Sequence, residues 1–281
     1  MKSVVDVGHI DLSDVSVVMP AMNEARNLPH VLARMPSGLG EVILVDGRSD
    51  DDTISVARRL RPDIRVVGQT RRGKGNALAC GFAAATRDII VMIDADGSTD
   101  PAEIPKFVGA IQNGADFAKG SRFAAGGGSV DITRFRRLGN AGLNRLVNVI
   151  YGTRFTDLCY GYNAFRRHCL STIDLVPGLE SIQRHHGDGF EVETLINIRV
   201  AKAAHHMVEV PSFEQSRLHG VSNLRAFSDG MHVLRTIAIE RRTRRARQAT
   251  APTIIDLTDA PSHPFVADID VSDLDRDVRA R

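Results

Sequence analysis

The chain has 281 residues, 43% hydrophobic and 25% charged, with a formal net charge of +2 and 3 cysteines. Those fractions belong to an ordinary soluble globular protein, long enough for one large domain or two small ones. The near-neutral balance gives no overall argument for nucleic acid, so any anion site must be local. No segment approaches the roughly 20 apolar residues that span a bilayer. Cys80, Cys159 and Cys169 lack the spacing of a metal site or a disulfide framework, which points to a reducing compartment and no disulfide. The start, MKSVVDVGHIDLSD, is acidic and without a long apolar region, so it does not read as a secretory signal.

Residues 15–19, VSVVM, are the first β-branched run, and it stops at Pro20, Ala21, Met22, Asn23 and Glu24. Strand, loop, helix is the expected order. Asn27 reads as the N-cap, Pro29 suits the first turn, and Val31, Leu32 and Met35 share a face. The next strand, residues 41–45, closes on a loop dense in acids. There Ser49 or Asp50 reads as an N-cap, and the helix dipole favours Asp51 and Asp52. Asp46 stands apart, ending its strand as Asp94 ends another. After a third strand at residues 64–67, Arg71, Arg72, Gly73, Lys74 and Gly75 open a helix with a small face. Its N-terminal N–H groups and Lys74 would make a local anion site; a solvated lysine fits the same residues.

The chain is organised around residues 89–101, IIVMIDADGSTDP. The apolar part has no alternation, as in a central parallel strand covered on both faces. Asp94 and Asp96, two apart, share a face at the strand's carboxyl end, where open α/β sheets bind ligands. Two carboxylates there repel unless a cation lies between them. A divalent ion completed by phosphate and water fits, and so do two solvated turn acids. A helix over residues 101–113 and a short strand at 117–119 follow. The repeated strand–helix alternation argues for a parallel, doubly covered sheet. The loops carrying Asn23 and Glu24, Asp46, Lys74, and Asp96 then lie along one edge.

Residues 124–129, AAGGGS, read as a linker or a lid. Arg134, Arg136 and Arg137 precede a helix over residues 138–151 with Leu143, Leu146, Val147 and Ile150 on its buried face. Residues 157–166, DLCYGYNAFR, follow no period. A helix over 187–204 and a strand over 207–210 come next. A C-terminal amphipathic helix is expected to dock through Leu224, Phe227, Met231, Leu234 and Ala238. It runs into Arg241, Arg242, Arg244, Arg245 and Arg247, either a contact for anionic lipid headgroups or a solvated helix end. Residues 248–281 read as a disordered acidic tail, and residues 1–13 as an N-terminal extension.

MPAMNEARNL, Val45-Asp46-Gly47, Arg72-Gly73-Lys74-Gly75, Asp94-Ala95-Asp96 and Gly120-Ser121-Arg122-Phe123 together resemble the family 2 glycosyltransferases. Residues 156–166, 209–211 and 217–224 are similar to the branch of dolichyl-phosphate and polyprenyl-phosphate sugar transferases, with Asn223 where a lysine is usual. The resemblance implies a GT-A fold: α/β, Rossmann-like, a mostly parallel central sheet with helices on both faces, as a single catalytic domain over residues 14–247. It implies that Pro20, Asn23, Glu24 and Asp46 contact the base and ribose of a nucleoside-diphosphate sugar, with Lys74 and Ala95 nearby. Asp94 and Asp96 would hold Mg2+ or Mn2+ against the diphosphate, Asp96 more directly. Arg122, with one of Arg134, Arg136 or Arg137, would bind the acceptor phosphate or the leaving group.

The chain offers no nucleophile of its own, so single displacement with inversion is expected. A hydroxyl acceptor requires a carboxylate base, from Asp157, Asp188, Glu191 or Glu193; a lipid phosphate is already ionised and needs none. The expectation is a cytoplasmic enzyme, peripheral at the inner membrane face through Arg241 to Arg247. It would move a hexose from a UDP- or GDP-sugar to a polyprenyl phosphate or a soluble acceptor. Two rival readings are a sugar-nucleotide nucleotidyltransferase and a non-catalytic binding module. The first wants a glycine-rich phosphate loop where Pro20-Ala21-Met22-Asn23 stands.

Overall fold

The structure is a computed structural model that describes residues 10–178, 185–220 and 226–243. Asn223, Leu224, Arg244, Arg245, Arg247, residues 1–9 and the 248–281 tail lie outside the described residues, as does the side chain of Phe227. Strands β1 (Val15–Ala21), β2 (Glu41–Asp46), β3 (Arg65–Gly68) and β4 (Ile89–Met92) pair in parallel, in the order β3-β2-β1-β4. Between them run α1 (Leu28–Ala33), α2 (Thr53–Leu60) and α3 (Lys74–Ala84). The registers Ala21↔Asp46 and Asp46↔Gly68 bring three strand ends level, so the loops that follow share one rim.

The second half of the sheet departs from the parallel pattern. A 3-10 turn and α4 (Ile104–Gln112) lead to β5 (Phe117–Ser121), but β5 does not pair with β4. Between them lies β7 (Asn163–Arg166), antiparallel to both, and β8 (Met207–Pro211) closes the edge parallel to β5. β7 is the stretch that shows no sequence period. It is covered on both faces, so Asn163, Ala164 and Phe165 are all buried and no alternation is left to read. β6 (Gly128–Ser129) and β9 (Phe213–Glu214) form a separate two-stranded ribbon.

The sheet has two apolar faces. Val15, Val17 and Met19 of β1 pack with α1, α2 and α4 through Leu28, Val31, Ala57, Phe107 and Ile111. Val18 points the other way, with Ile43 and Ile90, against α3 and α7 (Val192–Lys202). Gly81 allows that contact: a Cβ there would lie 2.3 Å from Val18 Cγ1. A short helix, α6 (Leu170–Ile173), joins the same layer. Outside α7 a third cluster forms from Val147 of α5 (Arg134–Tyr151), Ile198 of α7, and Val233 and Ile237 of α8 (Ala226–Arg242).

Several local expectations are corrected. Asn27 precedes α1 but makes no capping bond; its amide donates instead to Glu24 and to the His219 carbonyl, 3.1 Å away. The start of α2 is held by Asp51, which accepts from Thr53 N at 2.9 Å, not by Ser49 or Asp50. α5 begins four residues before the expected start, at Arg134, because Thr133 accepts from Arg136 N at 3.2 Å. Leu146 faces outward, 38% exposed.

The C-terminal helix docks through a face other than the expected one. Met231, Leu234 and Ala238 are exposed, and Val233, Thr236, Ile237 and Glu240 are buried. Burying Val233 and Ile237 contributes about 1.5–3 kcal/mol each. Glu240, received by Arg199 and Lys202 at 3.1 Å each, fixes the rotation of the helix.

Candidate active site

The loops after β1 and β2 are stitched together by polar contacts. Asn23, in the left-handed region at φ 60, donates its N–H to Ser49 Oγ at 3.0 Å and accepts from Asp50 N at 2.9 Å. Glu24 N donates to Thr53 Oγ1 at 2.8 Å. Asp46 accepts from Arg48 N at 3.0 Å and Ser49 N at 3.2 Å. Its carboxylate therefore shapes its own turn before it meets any ligand.

The Gly73-Lys74-Gly75 turn has a different purpose from the anion cradle expected of it. A Cβ on Gly73 would lie 2.0 Å from Asp188 O, and one on Gly75 would lie 1.7 Å from Gly187 O. The glycines let the 187–188 backbone press onto the start of α3, where Gly75 N donates to Asp188 O at 2.8 Å. That helix end is thereby occupied by protein. Lys74 turns into the molecule, its Nζ 2.6 Å from Asp94 Oδ1 and 2.8 Å from Glu193 Oε1. Burial works against the ammonium, but the two carboxylates outweigh it and hold Lys74 charged. Burial also raises the pKa of Glu193, and Lys74 offsets only part of that rise.

Asp96 meets the segment that follows β9. Leu218 N donates to Asp96 O at 3.2 Å, and Arg217 Nη1 lies 3.1 Å from Asp96 Oδ2 while its Nη2 pairs with Glu24. Gly97, at φ 81, makes room for this crossing, since a Cβ there would lie 2.7 Å from Leu218 Cδ1. Burial raises the pKa of Glu24, with the Asn27 and Arg217 bonds opposing it.

A cavity of about 910 Å³ opens at this point. One end is lined by Lys74, Asp94, Asp96, Glu193 and Arg217, with Arg122 and Glu214 beside them. The other end lies between α5 and α8 and is mostly apolar, lined by Phe135, Leu138, Leu143, Leu146, Met231 and Leu234, with Arg136 and Asp229 among them. Phe135 and Leu138 are 69% and 74% exposed, unusual for large apolar side chains side by side.

The other expected site residues lie elsewhere. Pro20, Asn23, Glu24 and Asp46 are on the same rim but outside the cavity lining, and Ala95 points into the core. Asp157 is fully buried. It accepts from Arg122 Nε at 2.7 Å and Nη2 at 2.9 Å, and from Asn140 Nδ2 at 3.0 Å. Arg122 spends its remaining nitrogen on both Glu214 oxygens at 3.0 Å and stacks on Tyr160 at 4.9 Å. Asp157 lies outside the cavity lining, whereas Arg122 borders it with these partners in place. Asp188 is paired with Arg71 at 2.8 Å. Glu191 accepts from Gly187 N at 3.1 Å and Gly189 N at 3.3 Å. Of the four candidate bases, Glu193 alone lines the cavity. Among the three arginines in the first turn of α5, Arg136 lines it and Arg134 and Arg137 do not. Arg217 had no assigned role; its Arg-Leu-His-Gly stretch carried part of the resemblance, but nothing local says it reaches Asp96.

The family model for Glycosyl transferase family 2 matches residues 16–173, and the chain belongs to that family. Among curated proteins it is 31% identical over 227 residues to a dolichyl-phosphate hexose transferase of Haloferax volcanii, covering 80% of this chain and 92% of that one. It is 32% identical over 206 residues to an undecaprenyl-phosphate mannosyltransferase of Micrococcus luteus, covering 70% and 82%. A match to an uncharacterized glycosyltransferase of Mycobacterium bovis is 44% identical over 108 residues, covers 38% of this chain and spans about half of that relative, 48%. The fold is similar to glucosyl-3-phosphoglycerate synthase from Mycobacterium tuberculosis, solved with Mn2+, UDP and phosphoglyceric acid. The TM-score is 0.65 at 22% identity, covering 85% of this chain and 84% of that one. The architecture is the GT-A arrangement expected from the motifs.

Proposed function

We propose that this hexosyltransferase is metal-dependent and inverting, and moves a hexose from a UDP- or GDP-sugar to the phosphate of a polyprenyl phosphate. The observation that carries this reading is the continuity of the cavity, charged at the β4 end and apolar between α5 and α8. A sugar nucleotide has no use for six apolar side chains, whereas an isoprenoid chain ending in phosphate needs both halves. The named activities of the Haloferax volcanii and Micrococcus luteus relatives support the same acceptor class.

Asp94 and Asp96 suit a hard divalent ion. Both are carboxylates at one strand end, both line the cavity, and both already draw a cation, Lys74 and Arg217. They would hold Mg2+ or Mn2+, which when bound neutralises charge on the donor's diphosphate. Lys74 and Arg217 add fixed positive charge where the leaving diphosphate gains negative charge. An oxygen of the lipid phosphate forms the new bond to the anomeric carbon as the bond to the diphosphate breaks, so the configuration inverts. Arg136 is the arginine suited to the incoming phosphate. Arg122 and Asp157 act through the backbone they hold, not on substrate.

A soluble acceptor is the second reading, favoured by Glu193, a carboxylate in the cavity whose raised pKa suits a general base. The experiment is nucleoside diphosphate release from UDP- and GDP-sugars with Mg2+ or Mn2+, with and without polyprenyl phosphate. Release should depend on the lipid, and Asp96→Ala should lose about 10²–10³-fold in turnover with an unchanged thermal midpoint. Undiminished turnover in that variant, or release equally driven by phosphoglycerate, would defeat the proposal.

A further inference from the structure

A second constellation lies at the opposite rim of the sheet, where β5 and β8 begin and β7 ends. His168, Cys169 and His205 each offer one donor atom, and the three atoms lie within 4.8 Å of one another. The Asp116 carboxylate stands against both rings, Oδ1 3.2 Å from His168 Nε2 and Oδ2 3.7 Å from His205 Nδ1. Cys169 is fully buried, its sulfur donating to the Asp116 carbonyl at 3.5 Å. The far nitrogen of His205, Nε2, lies 2.9 Å from Thr172 Oγ1.

We propose that His168, Cys169 and His205 form a structural zinc site, with Asp116 as the carboxylate that completes it. Two imidazoles and a thiolate are the ligands a borderline-soft ion takes and that Mg2+ or Mn2+ leaves aside. With zinc bonds of about 2.0–2.3 Å, neighbouring donors in a tetrahedron lie about 3.3–3.8 Å apart. The three donor atoms, within 4.8 Å of one another, need a closure of about 1–1.5 Å to reach that, and the Asp116 carboxylate a larger one. Thr172 holds the ring nitrogen that does not ligate, the outer contact that sets the tautomer of a metal-bound histidine. On binding, the Cys169 S–H bond breaks, its proton leaves to water, and a sulfur–zinc bond forms; both imidazoles ligate as neutral rings.

A plain ion pair of Asp116 with the histidines accounts for the two rings; the Cys169 sulfur beside them, although packed in the core with Ile173, is what points to a softer ion. The ion would tie the turn ahead of α6 to the starts of β5 and β8, three segments far apart in the chain. Sequence spacing conceals this, since adjacent His168 and Cys169 match no spaced ligand pair and His205 comes much later. The proposal stands independently of the transfer reaction at the other rim.

The test is equilibrium dialysis of the chelator-stripped full chain against Zn2+, with Mg2+ in excess to occupy the acids of the other rim. Cobalt substitution adds a thiolate charge-transfer band as a separate readout. One zinc per chain is expected, with a raised thermal midpoint. His168→Ala and Cys169→Ser should each weaken binding at least tenfold, and the cobalt band should vanish in Cys169→Ser. His168 is half exposed, so its replacement leaves the fold in place. No stoichiometric zinc, or equal binding by both variants, would overturn the site.

Discussion

Two clusters of acids around cations sit at the same rim, and they differ in how completely their charges are paired. Around Arg122 the set is closed. Asp157 and Glu214 are 0% and 10% exposed, and Asp157 is further satisfied by Asn140 and by Arg122 N. Around Lys74 and Arg217 the set is open. Asp94 is 29% and Asp96 21% exposed, each meets its cation through one oxygen, and both border the cavity. The pKa directions agree: although burial pushes Asp157 up, Arg122 and its bonds hold it below the usual carboxylate range, while burial leaves Glu193 above it. Removing one partner of a fully buried pair is costly because it leaves a charge uncompensated; a part-exposed carboxylate paired through one oxygen remains available to a ligand.

The sharpest way to break this comparison is Arg122→Ala. It strands two buried carboxylates and should cost about 3–5 kcal/mol of stability, read from the urea midpoint, whereas Asp96→Ala should leave that midpoint in place. An Arg122→Ala protein of full stability and no turnover would put Arg122 in the site instead.

A smaller effect comes with acid. The folded-state pKa of Asp157 is depressed, so its contribution is fully present above the unfolded value of about 4 and is lost as pH falls through the folded value. In a plot of thermal midpoint against pH, Asp157→Asn should flatten the acid limb, by up to about 1.4 kcal/mol per pH unit for one proton. An acid limb identical to that of the wild type would remove Asp157 from the account.

Smallest is the apolar half of the cavity. Leu138→Ser and Met231→Ser should leave stability unchanged, because both side chains are exposed. Each should raise KM for polyprenyl phosphate about three- to tenfold, the loss of roughly 1 kcal/mol of apolar burial. Equal KM values for variant and wild type would assign the groove to something other than the acceptor.

Much of the loop rim was legible because it depends on short-range order. β-branched runs at residues 15–19, 41–45, 64–67 and 89–93 declare parallel strands, and right-handed crossovers bring the loops carrying Asn23, Asp46, Lys74 and Asp96 to one edge. β7 was not legible, since Asn163-Ala164-Phe165-Arg166 has none of the β-branched residues that mark β4 and, covered on both faces, no alternation either. The face of α8 was misread for a related reason. Met231 and Leu234 are as apolar as Val233 and Ile237, and only Glu240, seated between Arg199 and Lys202, selects which pair is buried.

The residue types and their spacing therefore determined the sheet's first half, the family and the acidic strand end. The pairing of Arg122 with Asp157, 35 residues apart, and of Arg217 with Asp96, 121 apart, was decided by tertiary structure. So was the joining of the groove to the acids. Local pattern reports which side chains share a face of one element; charges find their partners only after the elements have packed, and packing depends on the whole path of the chain.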